Sequence, residues 1–338
     1  MQILKGDEIM GTLTKNMDKL QDIGFYTLLD DRAENASVDS PLWRCELLIT
    51  SACNFKCPYC RGTDKSANIS FEQAKRVVDL WCDHDLQNIR FSGGEPTCVE
   101  WLPKLIKYTN KKGVKRIAVS TNGSASTDYY LNLFYNGCND FSISLDACCA
   151  AFGDKMAGVP GMWPIVIKNI AALSKLTYVT TGCVFDENNI DQSVQTVVLA
   201  HDLGVSDIRI LTAAQYNKSL EFAKKIPKDI IERHPILNYR VNNFKNGKNV
   251  RGLSETDNHR CPLVLDDIAI KGNYHYPCII YMRELGNPIG VVSKDMRQER
   301  LEWYQNHDCF KDSICRKNCL DVCIDYNNKV AEINQHLK

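Results

Sequence analysis

From about residue 43 the chain alternates short apolar runs with amphipathic segments at a regular spacing. Residues 45–50, 88–91, 116–120, 141–146, 178–184 and 208–211 are each dominated by β-branched, aromatic or small apolar side chains and are too short for helices, so they predict strands. Between them lie segments of helical period. Ser70-Phe71-Glu72-Gln73 has the Ser-x-x-Gln form of a capping box and opens a helix through Val77, Leu80 and Trp81. A second helix is predicted from about residue 100 to 108. Val166, Ile170 and Leu173 fall at i, i+4 and i+7, and Ile190, Val194 and Val197 mark a helix that stops at Gly204. Six strand–helix alternations imply parallel pairing with right-handed crossovers, an α/β class. Six units instead of eight predict a partial (β/α)6 TIM-type barrel, with chemistry on the loops after the strands.

Boundaries follow from where this pattern starts and stops. Residues 1–42 are an N-terminal extension, 43–215 the partial barrel, and 216–258 a connecting segment without an interpretable motif. Residues 259–338 are a small cysteine-rich domain. The 338 residues carry 41 Lys+Arg against 41 Asp+Glu, so no net field favours nucleic acid or an anionic membrane. The basic runs at 111–116 and 224–225 read as solvated helix ends. No apolar run approaches a membrane span and no signal sequence is visible, which predicts a cytoplasmic protein. In that compartment disulfides do not persist, so 16 cysteines argue for metal or redox chemistry. Nine of them form two clusters. The other seven, Cys45, Cys82, Cys98, Cys138, Cys148, Cys149 and Cys183, are expected to be small buried apolar side chains.

The first cluster is Cys53-Asn54-Phe55-Lys56-Cys57-Pro58-Tyr59-Cys60, directly after the first strand. Three soft thiolates in CxxxCxxC spacing suit iron-sulfur or zinc, and no CxxC or HxxxH partner follows nearby to complete a zinc site. After the second strand comes Gly93-Gly94-Glu95-Pro96: two glycines let backbone approach a ligand, and the carboxylate suits an ammonium group. The third strand ends in Ser120-Thr121-Asn122-Gly123 and the fourth in Ser144-Leu145-Asp146. The cysteine spacing, with the aromatic Tyr59 before its last thiol, and the GGEP sequence resemble the radical S-adenosylmethionine (radical SAM) superfamily over about residues 43–212. The resemblance implies a [4Fe-4S] cluster on Cys53, Cys57 and Cys60, with S-adenosylmethionine on the open iron. It also implies cofactor contacts from Tyr59, Gly93, Gly94, Glu95, Pro96, Ser120, Asn122, Ser144 and Asp146.

Beyond residue 260 the chain carries Cys261, Cys278, Cys309, Cys315, Cys319 and Cys323 among Lys, Asp, Arg and Asn, which marks them as ligands instead of core. Their layout resembles the SPASM/Twitch extension of radical SAM enzymes, although Asn306 stands where that pattern has a cysteine. The resemblance implies one or two auxiliary [4Fe-4S] clusters. One arrangement draws on Cys261, Cys278 and two later thiols. The other sets Cys261, Cys278 and Cys319 against Cys309, Cys315 and Cys323. A zinc site on residues 309–323 is the competing reading. Tyr281, Arg283 and Glu284 are candidate substrate contacts.

Together these features predict an oxidoreductase that cleaves S-adenosylmethionine to a 5′-deoxyadenosyl radical and abstracts a substrate hydrogen. Auxiliary clusters would assist oxidation or relay the electron, and a reducing partner such as flavodoxin or ferredoxin would supply it. The substrate is a small molecule or a peptide. The alternatives are a GTP-cyclising enzyme of molybdenum cofactor synthesis, against which the end of the sequence lacks Gly-Gly, and a non-catalytic metal-binding protein.

Overall fold

The computed structural model describes Ala33 and residues 36–62, 68–216 and 220–336. Nearly all of the predicted extension, residues 1–42, lies outside this set. Six parallel strands, β1 (Arg44–Thr50), β2 (Asn88–Gly93), β3 (Arg116–Thr121), β4 (Asp140–Ser144), β5 (Tyr178–Phe185) and β6 (Asp207–Thr212), pair in sequence order. Every neighbour along this series follows the last through a helix, as expected of a partial barrel that stays open. The sheet then continues on the other side of β1. β7 (Asp267–Lys271) pairs parallel to β1, and β8 (Tyr274–Tyr276) and β9 (Gly290–Val291) follow antiparallel. The cysteine-rich segment therefore begins by extending the barrel sheet.

The two faces of the strands differ sharply. Cys45, Leu47 and Ile49 of β1, Ile89 and Phe91 of β2, Ile117 and Val119 of β3, and Phe141 and Ile143 of β4 are buried in one apolar cluster. The helices supply the other half of that cluster. Val77, Val78 and Trp81 come from Phe71–Cys82, Leu105 and Ile106 from Leu102–Lys111, and Val166, Ile170 and Leu173 from Trp163–Leu173. The predicted capping box is present: Gln73 N donates to Ser70 Oγ (3.1 Å) and Ser70 N to Gln73 Oε1 (2.8 Å). Alternate strand residues line the opposite, concave face and are polar, with Ser92 Oγ donating to Glu46 (2.8 Å), Arg90 to Ser120 Oγ (2.9 Å) and Arg209 to Ser142 Oγ (2.5 Å). Period-two alternation has thus built a barrel with a polar lumen.

The connecting segment is ordered around a buried carboxylate. Asp207, at the start of β6, accepts from the backbone N–H groups of Ile236 (3.0 Å) and Leu237 (3.4 Å) at the beginning of helix Pro235–Lys245. Those donors have no partner inside the helix, so the carboxylate satisfies them and anchors the helix to the sheet. The same helix pairs its buried Arg240 with Asp321, at the start of helix Asp321–His336.

Arg300 organises the region after residue 260. Its guanidinium is fully buried and donates to the carbonyls of Val264 (2.6 Å), Asp267 (2.6 Å), Tyr276 (2.9 Å) and Pro277 (3.2 Å). One rigid fork thereby fixes β7, β8 and the turn before Cys278. His275 places Nδ1 3.3 Å from Arg300 and Nε2 2.7 Å from Glu299. Since Arg300 can only donate, Nδ1 must accept and Nε2 carries the proton. Burial, then the Arg300 charge, push the His275 pKa down to about 3. Glu299 would favour the imidazolium, but it is partly exposed whereas Arg300 is fully buried, so the neutral ring prevails.

Two expectations follow. Replacing Arg300 by Ala leaves four carbonyls unserved and should lower stability in urea by more than about 3 kcal/mol. For His275, stability is full above the unfolded-state pKa of about 6.5 and should be lost as pH falls toward 3, because the unfolded ring gains a proton that the folded ring refuses. A His275→Gln chain should show a shallower decline in its urea midpoint over that window.

Candidate active site and metal centres

The cysteine loop leaves β1 at Thr50, and its shape is set by the second motif. Gly94 N donates to Thr50 O (2.7 Å) and Glu95 N to Ala52 O (2.7 Å). A Cβ on Gly93 would lie 2.0 Å from Thr50 O, and one on Gly94 2.1 Å from Ala52 O; Gly93 also has φ +145°. The sequence suggested that these glycines make room for a ligand. In the structure the backbone of the cysteine loop fills that room, so Gly93 and Gly94 are required for two main chains to touch.

Glu95 is likewise consumed internally. It is buried, and its Oε1 accepts from Thr97 N (3.0 Å), Thr97 Oγ1 (2.7 Å) and Thr121 Oγ1 (2.7 Å), while Oε2 accepts from Asn122 N (2.6 Å). Burial raises its pKa, and these donors oppose the rise. The carboxylate thus staples the end of β2 to the end of β3. Pro96 begins a short 3-10 turn beneath it.

Further ties run from the loop to the other strand ends. Asn122 Nδ2 donates to Asn54 Oδ1 (2.8 Å), and Asn54 Nδ2 to Ser124 Oγ (2.8 Å). Tyr59 donates its hydroxyl to Asp146, whose other oxygen accepts from Val184 N (2.8 Å). Lys56 N donates to Ala157 O (2.8 Å) in helix Ala150–Ala157. Burial raises the Asp146 pKa to about 6, with Tyr59 and Val184 acting against the rise. Cys57 is pushed up to about 12 by burial and then by Asp146. Such thiols give up their protons on binding a metal, which supplies the charge that burial otherwise opposes.

The loop roofs a cleft lined by Phe55, Cys57, Tyr59, Asn122, Ser144 and Asp146 on the strand side and by Met156, Met162 and Trp163 on the helix side. Of the residues expected at the site, Cys57, Tyr59, Asn122, Ser144 and Asp146 line this cleft. Ser120 sits lower, bonded to Arg90. The aromatic and methionine wall was not legible in the sequence, because it comes from two successive helices, Ala150–Ala157 and Trp163–Leu173, and the turn between them, which carry no motif. Cys98 departs from expectation too: it is exposed and lies near Cys53, and Cys149 is also exposed, whereas Cys45, Cys138 and Cys183 are buried as expected.

The C-terminal thiols form a second centre. Cys261 is shifted upward by a hydrogen bond with Cys309, then by burial. Cys319 and Cys323 are raised by burial and then by neighbouring thiols that include Cys261 and Cys278. Six soft donors thus share one neighbourhood, which fits an iron-sulfur or zinc centre. Residues after Cys278 reach the barrel: Glu284 pairs with Arg61, which follows Cys60, and Arg283 lies 3.8 Å from Glu46 in the lumen. Tyr281 instead donates to Asp312 (3.0 Å).

The "Radical SAM superfamily" profile matches residues 47–206. The chain carries a radical SAM domain. A [4Fe-4S] cluster with S-adenosylmethionine is the cofactor set of that superfamily, and the three thiols of the loop after β1 fit it. Among curated relatives, the GTP 3′,8-cyclase of Xanthomonas axonopodis pv. citri is 31% identical over 142 residues, which cover 39% of this chain and 42% of the relative. The chain spans about half or less of the length of the first such relatives. Among solved structures, anSMEcpe with bound AdoMet aligns with TM-score 0.59 at 16% identity, covering 88% of this chain and 95% of that one. Streptococcus suis SuiB bound to S-adenosylmethionine aligns at 0.57 and 13%, covering 83% and 72%. These likenesses establish the fold beyond the profile match, including the stretch after β6. No helix among the described residues is long and apolar enough to cross a membrane.

A Gly94→Ala chain should fold its barrel but lose the loop geometry. Iron bound after anaerobic reconstitution should fall by about the four ions of the first cluster, as counted against the same chain lacking Cys53, Cys57 and Cys60.

Proposed function

We propose that this chain is a radical SAM enzyme acting on a small anionic substrate held in the barrel lumen, with the C-terminal thiols holding an auxiliary iron-sulfur centre that takes up or relays an electron. The observation that carries the reading is a guanidinium in the barrel lumen whose hydrogen-bonding capacity is only partly used. Arg209 reaches Ser142 as its hydrogen-bond partner, and its Nε finds none among the described residues. Asp140 turns its Oδ2 to Arg116 (2.9 Å) and Arg90 (3.5 Å) and its Oδ1 accepts no hydrogen bond among the described residues, while Glu46 is shared by Ser92 and Arg283. Burial and then the Arg90 charge lower the Arg209 pKa to about 10, still well above neutrality, so the guanidinium stays charged and underserved. A carboxylate or phosphate on the substrate would complete it.

Cys53, Cys57 and Cys60 would hold the cluster, and Asn122, Ser144 and Asp146 would contact the bound S-adenosylmethionine. When bound, the pair supplies a 5′-deoxyadenosyl radical, the hydrogen-abstracting species. The chain's own residues orient and enclose. Tyr59 and Asp146 fix the loop over the lumen, the Met156, Met162 and Trp163 wall excludes water, and Arg209 with Arg90 sets the depth of the substrate. The Arg61–Glu284 pair, which joins the segment after Cys60 to the segment after Cys278, supports a path for the product electron between the two centres.

A second reading is favoured by the GTP 3′,8-cyclase relatives, whose named substrate is a triphosphate and would satisfy the same arginines. Anaerobic protein supplied with reductant and S-adenosylmethionine should form 5′-deoxyadenosine, and Cys57→Ala should form none. Absence of product from the reconstituted wild-type chain would sink the radical reading. Adding GTP separates the two substrate readings: a cyclised nucleotide supports the second, and unchanged GTP the first. Arg209→Ala should raise the substrate KM at least tenfold with a smaller change in kcat, as loss of an anchoring contact requires.

A further inference from the structure

His307, Cys309 and Cys315 bring one ligand atom each to within 4.8 Å of one another. Ligands that share a single zinc ion, at about 2.0–2.1 Å for nitrogen and about 2.3 Å for sulfur, cannot lie more than about 4.6 Å apart. The three atoms are therefore drawn together to nearly the size of one coordination sphere. Thiolates that bind different irons of a cubane stand farther apart, and Cys53, Cys57 and Cys60 are not contracted in this way. The contrast lies within one molecule.

A fourth donor adjoins this group without lying within 4.8 Å of all three atoms. Cys309 N donates to His259 O (2.8 Å), and Arg260 Nη1 donates to His307 O (2.8 Å). This two-point clamp lays residues 259–261 along residues 307–309 and so brings Cys261 alongside Cys309. The histidine is also held in place. Trp303 stacks on its ring with centroids 4.0 Å apart and planes within 18°, and its Nε2 lies 4.0 Å from Cys315 Sγ. Asp312 accepts from Cys315 N (2.9 Å) and so fixes the third ligand's backbone. His307 Nε2 also lies 3.6 Å from Asp312 Oδ2, so the imidazole, constrained by stacking one residue after the Asn306 that interrupts the cysteine pattern, sits between a carboxylate and a thiol, where it can serve as a ligand.

We propose that Cys261, His307, Cys309 and Cys315 bind one tetrahedral zinc ion, a three-thiolate, one-imidazole site. Cys278, Cys319 and Cys323 are left as the thiolates available to an auxiliary iron-sulfur cluster. The ion joins the strand-extending segment before β7 to the closing cysteine segment, two stretches almost 50 residues apart in sequence. This site does not depend on the substrate reading, since its readout is coordination and not turnover.

The test is zinc content and zinc X-ray absorption on the full-length chain, purified from zinc-supplied cultures without added iron. The expected result is about one zinc per chain with about three sulfur and one nitrogen neighbour. His307→Ala should weaken zinc retention against a chelator at least tenfold, while His259→Ala, which removes a neighbouring imidazole, leaves it unchanged. If His307→Ala fails to fold, His307→Cys serves: it should keep zinc and show four sulfur neighbours. The proposal is overturned by a chain that holds iron but no zinc. It is equally overturned by a wild-type shell of four sulfurs, or by zinc retention that His307→Ala does not change.

Discussion

Main-chain contact at Gly93 and Gly94 is the constraint on which the site depends. The loop that bears Cys53, Cys57 and Cys60 has no regular secondary structure, so its shape must be imposed by neighbours. Two hydrogen bonds of 2.7 Å from the β2 end impose it, and they form because no Cβ stands between the two backbones. Every other tie acts on a loop already placed: Asn54 to Asn122, Tyr59 to Asp146, Lys56 to Ala157. Glu95, which could have faced a ligand, spends both oxygens holding β2 to β3.

A parallel barrel in which one strand face is apolar and the other polar creates a second consequence. The helix-facing residues pack as an ordinary core, and the lumen residues must satisfy one another or a ligand. Most do so: Arg44 pairs with Asp267, and Arg116 with Asp140. Arg209 bonds Ser142 but leaves its Nε without a hydrogen bond among the described residues, which is the feature the proposed substrate anchor rests on.

The extension of the sheet through β7 explains how segments flanking two cysteine clusters, more than 200 residues apart, come into contact. β7 lies beside β1, the strand whose end carries the first cluster, and the turn after β8 carries Cys278. Arg300 holds that turn through four carbonyls. Glu284, six residues after Cys278, then meets Arg61, one residue after Cys60.

The sequence by itself determined the six-strand order, the position of each motif at a strand end and which soft side chains are grouped along the chain. These are local properties: strand and helix periods and the types of donor are written in neighbouring residues. It also gave the right helix start at Ser70, since a capping box is complete within four residues. Only the tertiary structure decided what Gly93 and Gly94 touch, that Arg209 Nε finds no hydrogen bond among the described residues, that Met156, Met162 and Trp163 wall the cleft, and that His307 rather than His259 or His275 lies beside a thiol. Each of these is a through-space contact between segments distant in the chain. A single sequence carries no signal for such contacts until packing brings the segments together.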